Sequence, residues 1–242
     1  MIVLFTDFGP TGPYVGEMKA VLAQRAPEVP VIDLMHDAPV FDARASAYLL
    51  AALTGSLPAN SVFLCVVDPG VGSDRAPVIV EADGKSYVGP DNGLLAVLTR
   101  RARASTARRI LWRPDRLSAS FHGRDLFSPV AAMLARGEEV LSEPLPVQSI
   151  DRTDWPDDLA EIAYIDSFGN AMTGLRAANL PADAVLEGAG KRFSRARTFS
   201  DVAPGDAFWY ENSSGLAEIA VNGGRADSVG LARGTPIAIL KS

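Results

Sequence analysis

The chain is poor in the residues that most often carry metals, disulfides and redox chemistry. It has one cysteine and two histidines in 242 residues. Cys65 alone cannot close an intrachain disulfide, so the fold must be held by its own core, and a single thiol suits a reducing compartment. Two imidazoles with no HExxH, HxxEH or DxDxDG spacing argue against a metal cage, and none is expected. No GxSxG elbow is present, no Gly-Lys-Ser/Thr follows a glycine-rich run, and no GxGxxG occurs. Those absences count against a serine hydrolase, a Walker-type phosphate loop and a dinucleotide fingerprint.

Basic charge is also in short supply: 23 Lys and Arg face 29 Asp and Glu, a formal net charge of -6. Such a surface is not built to neutralise a phosphate backbone, so nucleic acid is not an expected partner. The densest basic stretch, Arg100, Arg101, Arg103, Arg108 and Arg109, reads as a solvated helix end and loop. The least polar stretch, Ala45 to Leu57, is too short to span a bilayer and reads as a core-facing helix. Met1 runs straight into the strand-like Ile2 to Phe5 without a charged leader. The expectation is a soluble, cytoplasmic protein with no membrane partner.

What is present is an ordinary globular composition, 48% hydrophobic and 21% charged, at a length that allows a larger and a smaller domain. The first two thirds alternate β-branched apolar runs with helical patterns. Strands are expected at Ile2 to Thr6, Val31 to Leu34, Ser61 to Val67, Val78 to Ala82, Ser86 to Gly89 and Ile110 to Trp112. Helices are expected at Gly16 to Ala26, Asp42 to Leu57, Leu94 to Arg103 and Phe127 to Arg136. After about Val147 the pattern changes to short runs broken by Gly, Asn and Pro: Ile162 to Ile165, Ala171 to Gly174, Ala207 to Tyr210, Leu216 to Val221 and Pro236 to Leu240. The fold class expected is therefore α/β, with an N-terminal α/β layered domain over residues 1–150 built on a mostly parallel sheet. A smaller, mostly antiparallel β domain follows over residues 158–242.

Polar clusters stand directly after several of these strands, the edge at which open α/β sheets bind ligands. In Thr6-Asp7-Phe8-Gly9, Asp7 can cap the next element or accept hydrogen bonds from a sugar diol. In Asp68-Pro69-Gly70-Val71-Gly72-Ser73-Asp74-Arg75, the glycines let backbone approach a ligand and Arg75 can pair with Asp68, although a tight turn with a surface ion pair reads the same way. Gly89-Pro90-Asp91-Asn92-Gly93 is by residue type a turn. Ser120-Phe121-His122-Gly123-Arg124-Asp125 holds one histidine among charged neighbours, and Met35-His36-Asp37 holds the other, with nothing in the sequence to rank them. In the second domain Ile165 to Asn170 and Glu211 to Leu216 set polar side chains beside glycines. Glu218 interrupts the apolar run Leu216 to Val221, and alternation points it at solvent or at a polar pocket.

As an ordered set, TDFG, DPGVGSDR, PDNG, SFHGRD, IDSFGN and NSSGLAEIAVN resemble the S-adenosylmethionine hydroxide adenosyltransferases, a family that includes the fluorinase and chlorinase enzymes. The resemblance covers nearly the whole chain. It implies an N-terminal α/β domain joined to a C-terminal β-barrel-like domain, a homotrimer with active sites between neighbouring subunits, and no cofactor beyond S-adenosyl-L-methionine as substrate. Carried over by motif, Asp68, Arg75 and His122 position and activate the attacking water. Asp7 binds the ribose hydroxyls, Asn170 the adenine, Asp166 with Ser213 the methionine part, and Val221 to Gly223 the adenine through backbone atoms. Phe41, Phe168, Ser214 and Glu218 complete the substrate-binding set. The halogenating members carry a glycine-rich insertion that this chain lacks, an aromatic hydroxyl residue in place of Asp68 and a hydroxyl residue in place of Gly123. A carboxylate at the nucleophile position repels halide and suits water, so hydrolysis to adenosine and methionine is the expected activity. A halide-using adenosyl transferase and a non-catalytic adenosyl sensor are the alternatives. Ser214 stands where the halogenating relatives have an arginine.

Overall fold

A computed structural model describes residues 1–240, which divide into two compact units. One comprises residues 1–51 and 57–153, the other residues 52–56 together with the chain from 154 onward.

The first unit is built on β1 (Ile2–Thr6), α1 (Tyr14–Arg25), β2 (Val31–Met35), α2 (Ala43–Leu53), β3 (Val62–Val66), β4 (Pro77–Ala82), β5 (Lys85–Pro90), α3 (Ala96–Arg101), β6 (Ser105–Ile110), α4 (Ser128–Ala135) and β7 (Ser142–Leu145). Its seven strands form one sheet in the order β2-β1-β3-β5-β4-β6-β7. The β1–β2, β1–β3 and β3–β5 pairings are parallel, and β4 turns the remaining pairings antiparallel. Strands β1 and β3 read as unbroken apolar runs because every residue in them is buried, the pattern of a parallel sheet covered on both faces. Helices α1 and α4, with Phe127 from the helical turn just before α4, lay Met18, Leu22, Phe127, Val130 and Ala131 onto Ile2, Leu4, Leu64, Ile79 and Val88. Each such large side chain contributes roughly 1.5–3 kcal/mol on full burial. Helix α2 buries Ala45 to Leu50, as its apolar pattern requires.

The second unit is mainly β, with three short helical turns at Ala177–Asn179, Phe199–Asp201 and Ala226–Val229. Strands β8 (Leu159–Ile165), β9 (Ala171–Arg176), β10 (Val185–Gly188), β11 (Lys191–Phe193), β12 (Ala207–Glu211), β13 (Leu216–Val221) and β14 (Ala238–Leu240) follow in order. They form a four-stranded antiparallel sheet, β12-β13-β9-β8, and a three-stranded one, β11-β10-β14, rather than a single closed barrel. Trp209, Phe193, Leu186 and Ile219 fill the core of this unit, and the Trp209 indole N–H donates to the Ala184 carbonyl at 2.9 Å.

Three local expectations are corrected. The strand expected at Ile110 to Trp112 instead runs Ser105–Ile110, because its sequence STARRI carries polar side chains on an exposed face and hides its period. Arg108 and Arg109 therefore lie on β6, paired with Glu81 and Glu143, and are not part of a solvated loop. Arg100 and Arg101 are held as well: Arg100 donates to Asp151 at 2.7 Å and Arg101 lies over the Tyr48 ring.

Candidate active site

Strand register brings the first two clusters together. Thr6 pairs with Val66 across β1 and β3, so Asp7 and Asp68 leave the sheet at the same edge, where both strands end. The turn after β3 is pinned by Asn92, whose side-chain amide donates to the Val67 carbonyl at 2.8 Å, which gives the PDNG turn a structural task. Gly72, at φ +82°, passes so close to the Ala119 carbonyl that a Cβ there would sit 2.7 Å from its oxygen. The 68–75 loop thus packs directly against the segment that leads to His122.

Asp68 and Arg75 form a two-point ion pair, with side chains 5% and 8% exposed. The Arg75 Nε donates to Asp68 Oδ1 at 2.8 Å, and its Nη2 donates to Oδ2. The same Nη2 lies 2.9 Å from His122 Nδ1. A guanidinium has no acceptor, so Nδ1 must accept, and the imidazole is neutral with its proton on Nε2. Burial holds the His122 pKa below that of a free imidazole, the Arg75 guanidinium adds to the effect, and the opposing pull of Asp68 does not cancel it. The surface ion pair left open by the sequence is in fact buried. His36 stands apart: Nδ1 meets Thr6 Oγ1 at 2.9 Å and Nε2 meets Asp33 at 3.1 Å, which ties the end of β2 to the end of β1.

Asp7 accepts the Phe41 backbone N–H at 2.9 Å. Its carboxyl is raised above the usual range, first by desolvation and further by the charge of Asp68, while the Phe41 bond opposes both. Phe41 adopts φ +58° and is 76% exposed, a costly conformation for a bulky residue that the Asp7 bond helps fix. Asp7, Phe41, Asp68 and His122 all line one cavity of about 560 Å³. Its wall also includes Phe8, Tyr14 and Phe121, whose rings contact one another at centroid distances of 5.4–5.8 Å. Motif reading missed this aromatic wall, although Phe8 and Phe121 sit inside the quoted motifs.

In the second unit, the hairpin between β8 and β9 folds Asn170 back on Asp166, whose carboxylate accepts the Asn170 backbone N–H at 2.8 Å and its side-chain amide at 3.2 Å. Ala226 N–H donates to the Gly169 carbonyl, which sets the segment after Val221 and Gly223 beside this hairpin, while Phe168 is 77% exposed. Ser213 and Ser214 lie in the turn before β13, and Val221 leaves at its other end, five residues and therefore roughly 17 Å away. Glu218 is 2% exposed and faces a polar pocket, not solvent. Tyr210 O–H donates to Oε1 and Asn212 to Oε2 at 2.7 Å, so both oxygens are engaged within the protein. Asn212 in turn accepts the backbone N–H groups of Ser214 and Leu216.

A mixed sheet whose parallel strands end at a buried carboxylate, paired with a guanidinium beside a neutral imidazole and set on the wall of a cavity with an aromatic side, defines an α/β protein with a built ligand site at its strand ends. The chain belongs to the SAM hydroxide adenosyltransferase family: residues 2–143 match the N-terminal domain of that family and residues 160–238 its C-terminal domain. It is 41% identical to the (R)-S-adenosyl-L-methionine hydrolase of Thermus thermophilus, over 99% of each chain. It is 39% identical to the protein of the same name from Salinispora arenicola, over 91% of this chain and 90% of that one. A crystal structure of an uncharacterized conserved protein from Thermotoga maritima superposes over the full length of both chains, with TM-score 0.84 and 30% identity.

The neutral His122 makes a pH prediction. A depressed folded pKa means that the unfolded chain binds the proton first, so this residue's contribution to stability is complete above about pH 6.5 and is lost as pH falls through the folded pKa. If the neutral ring is the active form, kcat/KM should hold its plateau as pH drops past 6.5 and fall only below it. A limb centred at or above 6.5 in the pH–rate profile, absent from a His122→Asn variant, would remove this assignment.

Proposed function

We propose that the chain hydrolyses S-adenosyl-L-methionine to adenosine and L-methionine by attack of water on the ribose 5′ carbon. The observation that carries this reading is the buried Asp68 carboxylate, held at two points by Arg75 beside a neutral His122, on the wall of the cavity that also presents Asp7. The names of the Thermus and Salinispora relatives support the reaction and point to the R sulfonium epimer.

In the reaction the water oxygen bonds to C5′ as the C5′–S pair returns to sulfur, giving a neutral thioether. The sulfonium charge disappears and one proton is released per turnover. The leaving group needs no acid, so the burden lies on the nucleophile. Deprotonating bulk water at pH 7 would cost about 12 kcal/mol, from its pKa of about 15.7. Asp68 therefore takes the proton only as the new bond forms, with Arg75 fixing its orientation and the Nε2–H of His122 available to hold the water. Orientation in a dry cavity can supply about 7–11 kcal/mol of the barrier lowering. A halide would meet the Asp68 carboxylate head on, which disfavours halide transfer.

Asp7 takes the ribose diol as a pure acceptor, and the Phe8, Tyr14 and Phe121 rings give the sulfonium and C5′ an apolar, electron-rich surface. Asn170 and the Val221 to Gly223 backbone take the adenine, Phe168 stacks on it, and Asp166, Ser213 and Ser214 take the amino acid end. We further propose a homotrimer working in the cytoplasm with no cofactor, the compartment to which the lone cysteine points.

The test is to incubate the protein with each sulfonium epimer and follow adenosine by chromatography and protons by pH-stat. Adenosine and one proton per substrate, unaffected by EDTA, are expected. Ligand binding without adenosine would replace the hydrolase by a sensor, and halogenated adenosine in added chloride or fluoride would replace it by a halide transferase. Light scattering tests the trimer.

A further inference from the structure

The Asp68–Arg75–His122 cluster stands between two cavities of the first unit. Asp68 and His122 line the 560 Å³ cavity in front, and behind them lies a second cavity of about 330 Å³, lined by Arg75 and His122 with Ser73, Ala76, Arg113 and Leu117. His122 is the one side chain of the three that faces both. The rear cavity reaches the surface, since Ser73, Arg113 and Leu117 are exposed, whereas Asp68 and Arg75 are nearly sealed. Arg113 anchors its rim by donating to the Ile110 and Trp112 carbonyls, both at 2.8 Å.

A hydrolase that fills its front cavity with a large ligand excludes solvent there, yet each turnover consumes one water and releases one proton. We propose that the rear cavity is the solvent port of the cluster, through which the nucleophilic water arrives past the His122 ring and the released proton leaves while substrate occupies the front. The ligand of this port is water itself. On attack, the water's proton passes to Asp68. The next water from the rear accepts that proton while handing one of its own outward to the water behind it, which restores the carboxylate and leaves that water in place as the next nucleophile, so one water enters and one proton leaves. Arg75 keeps its proton throughout and serves as the fixed wall between the two spaces.

This inference rests on the hydrolase reading, and its test separates the two. The first measurement needs only adenosine binding: deuterium exchange at the His122 Cε1 carbon, read by mass spectrometry, in free protein and with saturating adenosine. An open rear port leaves the exchange rate within about twofold when the front is filled. Protection of tenfold or more by adenosine would mean that solvent reaches His122 from the front, and would overturn the port. The second uses two variants that narrow the port without touching the cluster, Leu117→Trp on the exposed rim and Ala76→Leu deeper in, each checked for an unchanged melting temperature. Exchange with adenosine bound should slow, and kcat should fall about tenfold while KM and adenosine affinity hold. Full kcat in folded variants whose His122 exchange has slowed would also overturn it. Absence of adenosine formation by the wild type would instead count against hydrolysis, leaving the exchange result to stand by itself.

Discussion

Replacing Asp68 by Asn lowers kcat at least ~100-fold and leaves adenosine affinity within about twofold, the loss characteristic of a positioned general base. The asparagine keeps the shape of the carboxylate and can still accept one of the two Arg75 bonds, but its amide NH2 meets the other guanidinium donor, and it cannot take a proton. The alanine variant loses the same activity and adds a structural defect. Arg75 is 8% exposed and Asp68 is its only carboxylate partner among the described residues, so removing that partner leaves a buried guanidinium uncompensated. Breaking such a pair from one side costs about 3–5 kcal/mol. The contrast between the two variants, alike in catalysis with alanine carrying the larger structural defect, is read by kcat, by adenosine titration and by denaturant unfolding. An Asp68→Asn enzyme that retains more than a tenth of wild-type kcat would leave positioning by Arg75 and His122 as the whole mechanism. Equal stability of the two variants would show that the guanidinium finds another partner.

Much of this site was legible from residue type because parallel strands advertise themselves. The unbroken apolar runs of β1 and β3 locate the strands, and the first polar residues beyond them, Asp7 and Asp68, are then at the ligand edge by the logic of the fold. What one-dimensional reading could not supply was the partner of each group. Nothing near His122 in sequence shows that Arg75, 47 residues earlier, donates to its ring and fixes its tautomer. Nothing near His36 shows that it meets Thr6 and Asp33, and residue type by itself left the two histidines unranked; the resemblance singled out His122, and the structure puts His122, and not His36, on the cavity wall. The short strands β7, β10 and β11 were missed for a different reason. They are only three or four residues long, and Ser142–Leu145 and Lys191–Phe193 carry polar or charged side chains, so they present no period to detect.

Substitutions at Glu218 separate holding a loop from touching a ligand. Its carboxylate is in the core, raised above the usual range chiefly by desolvation and also by the charge of Asp166, with the Tyr210 and Asn212 bonds pulling the other way. A carboxyl whose folded pKa lies above its unfolded one binds its proton more readily in the native state, so its contribution to stability grows as pH falls toward about 4.5 and is a cost at neutral pH. Glutamine removes that cost and can still satisfy both partners. Its carbonyl accepts from Asn212, and its amide donates to the Tyr210 oxygen, which can accept. Alanine satisfies neither and strands two donors in a buried site, at about 1–3 kcal/mol each. Glu218→Gln is therefore expected within about 1 kcal/mol of wild type at pH 8, and Glu218→Ala to lose roughly 2–5 kcal/mol. The loss in alanine reaches Asn212, and through it the turn that presents Ser213 and Ser214, so KM should rise in whatever fraction stays folded while kcat holds. Urea unfolding of the three proteins at pH 5 and pH 8 decides the matter. Glutamine should flatten the part of the pH dependence that Glu218 supplies, and a glutamine variant as unstable as alanine would show that the buried charge itself, rather than its two hydrogen bonds, is what this pocket was built around.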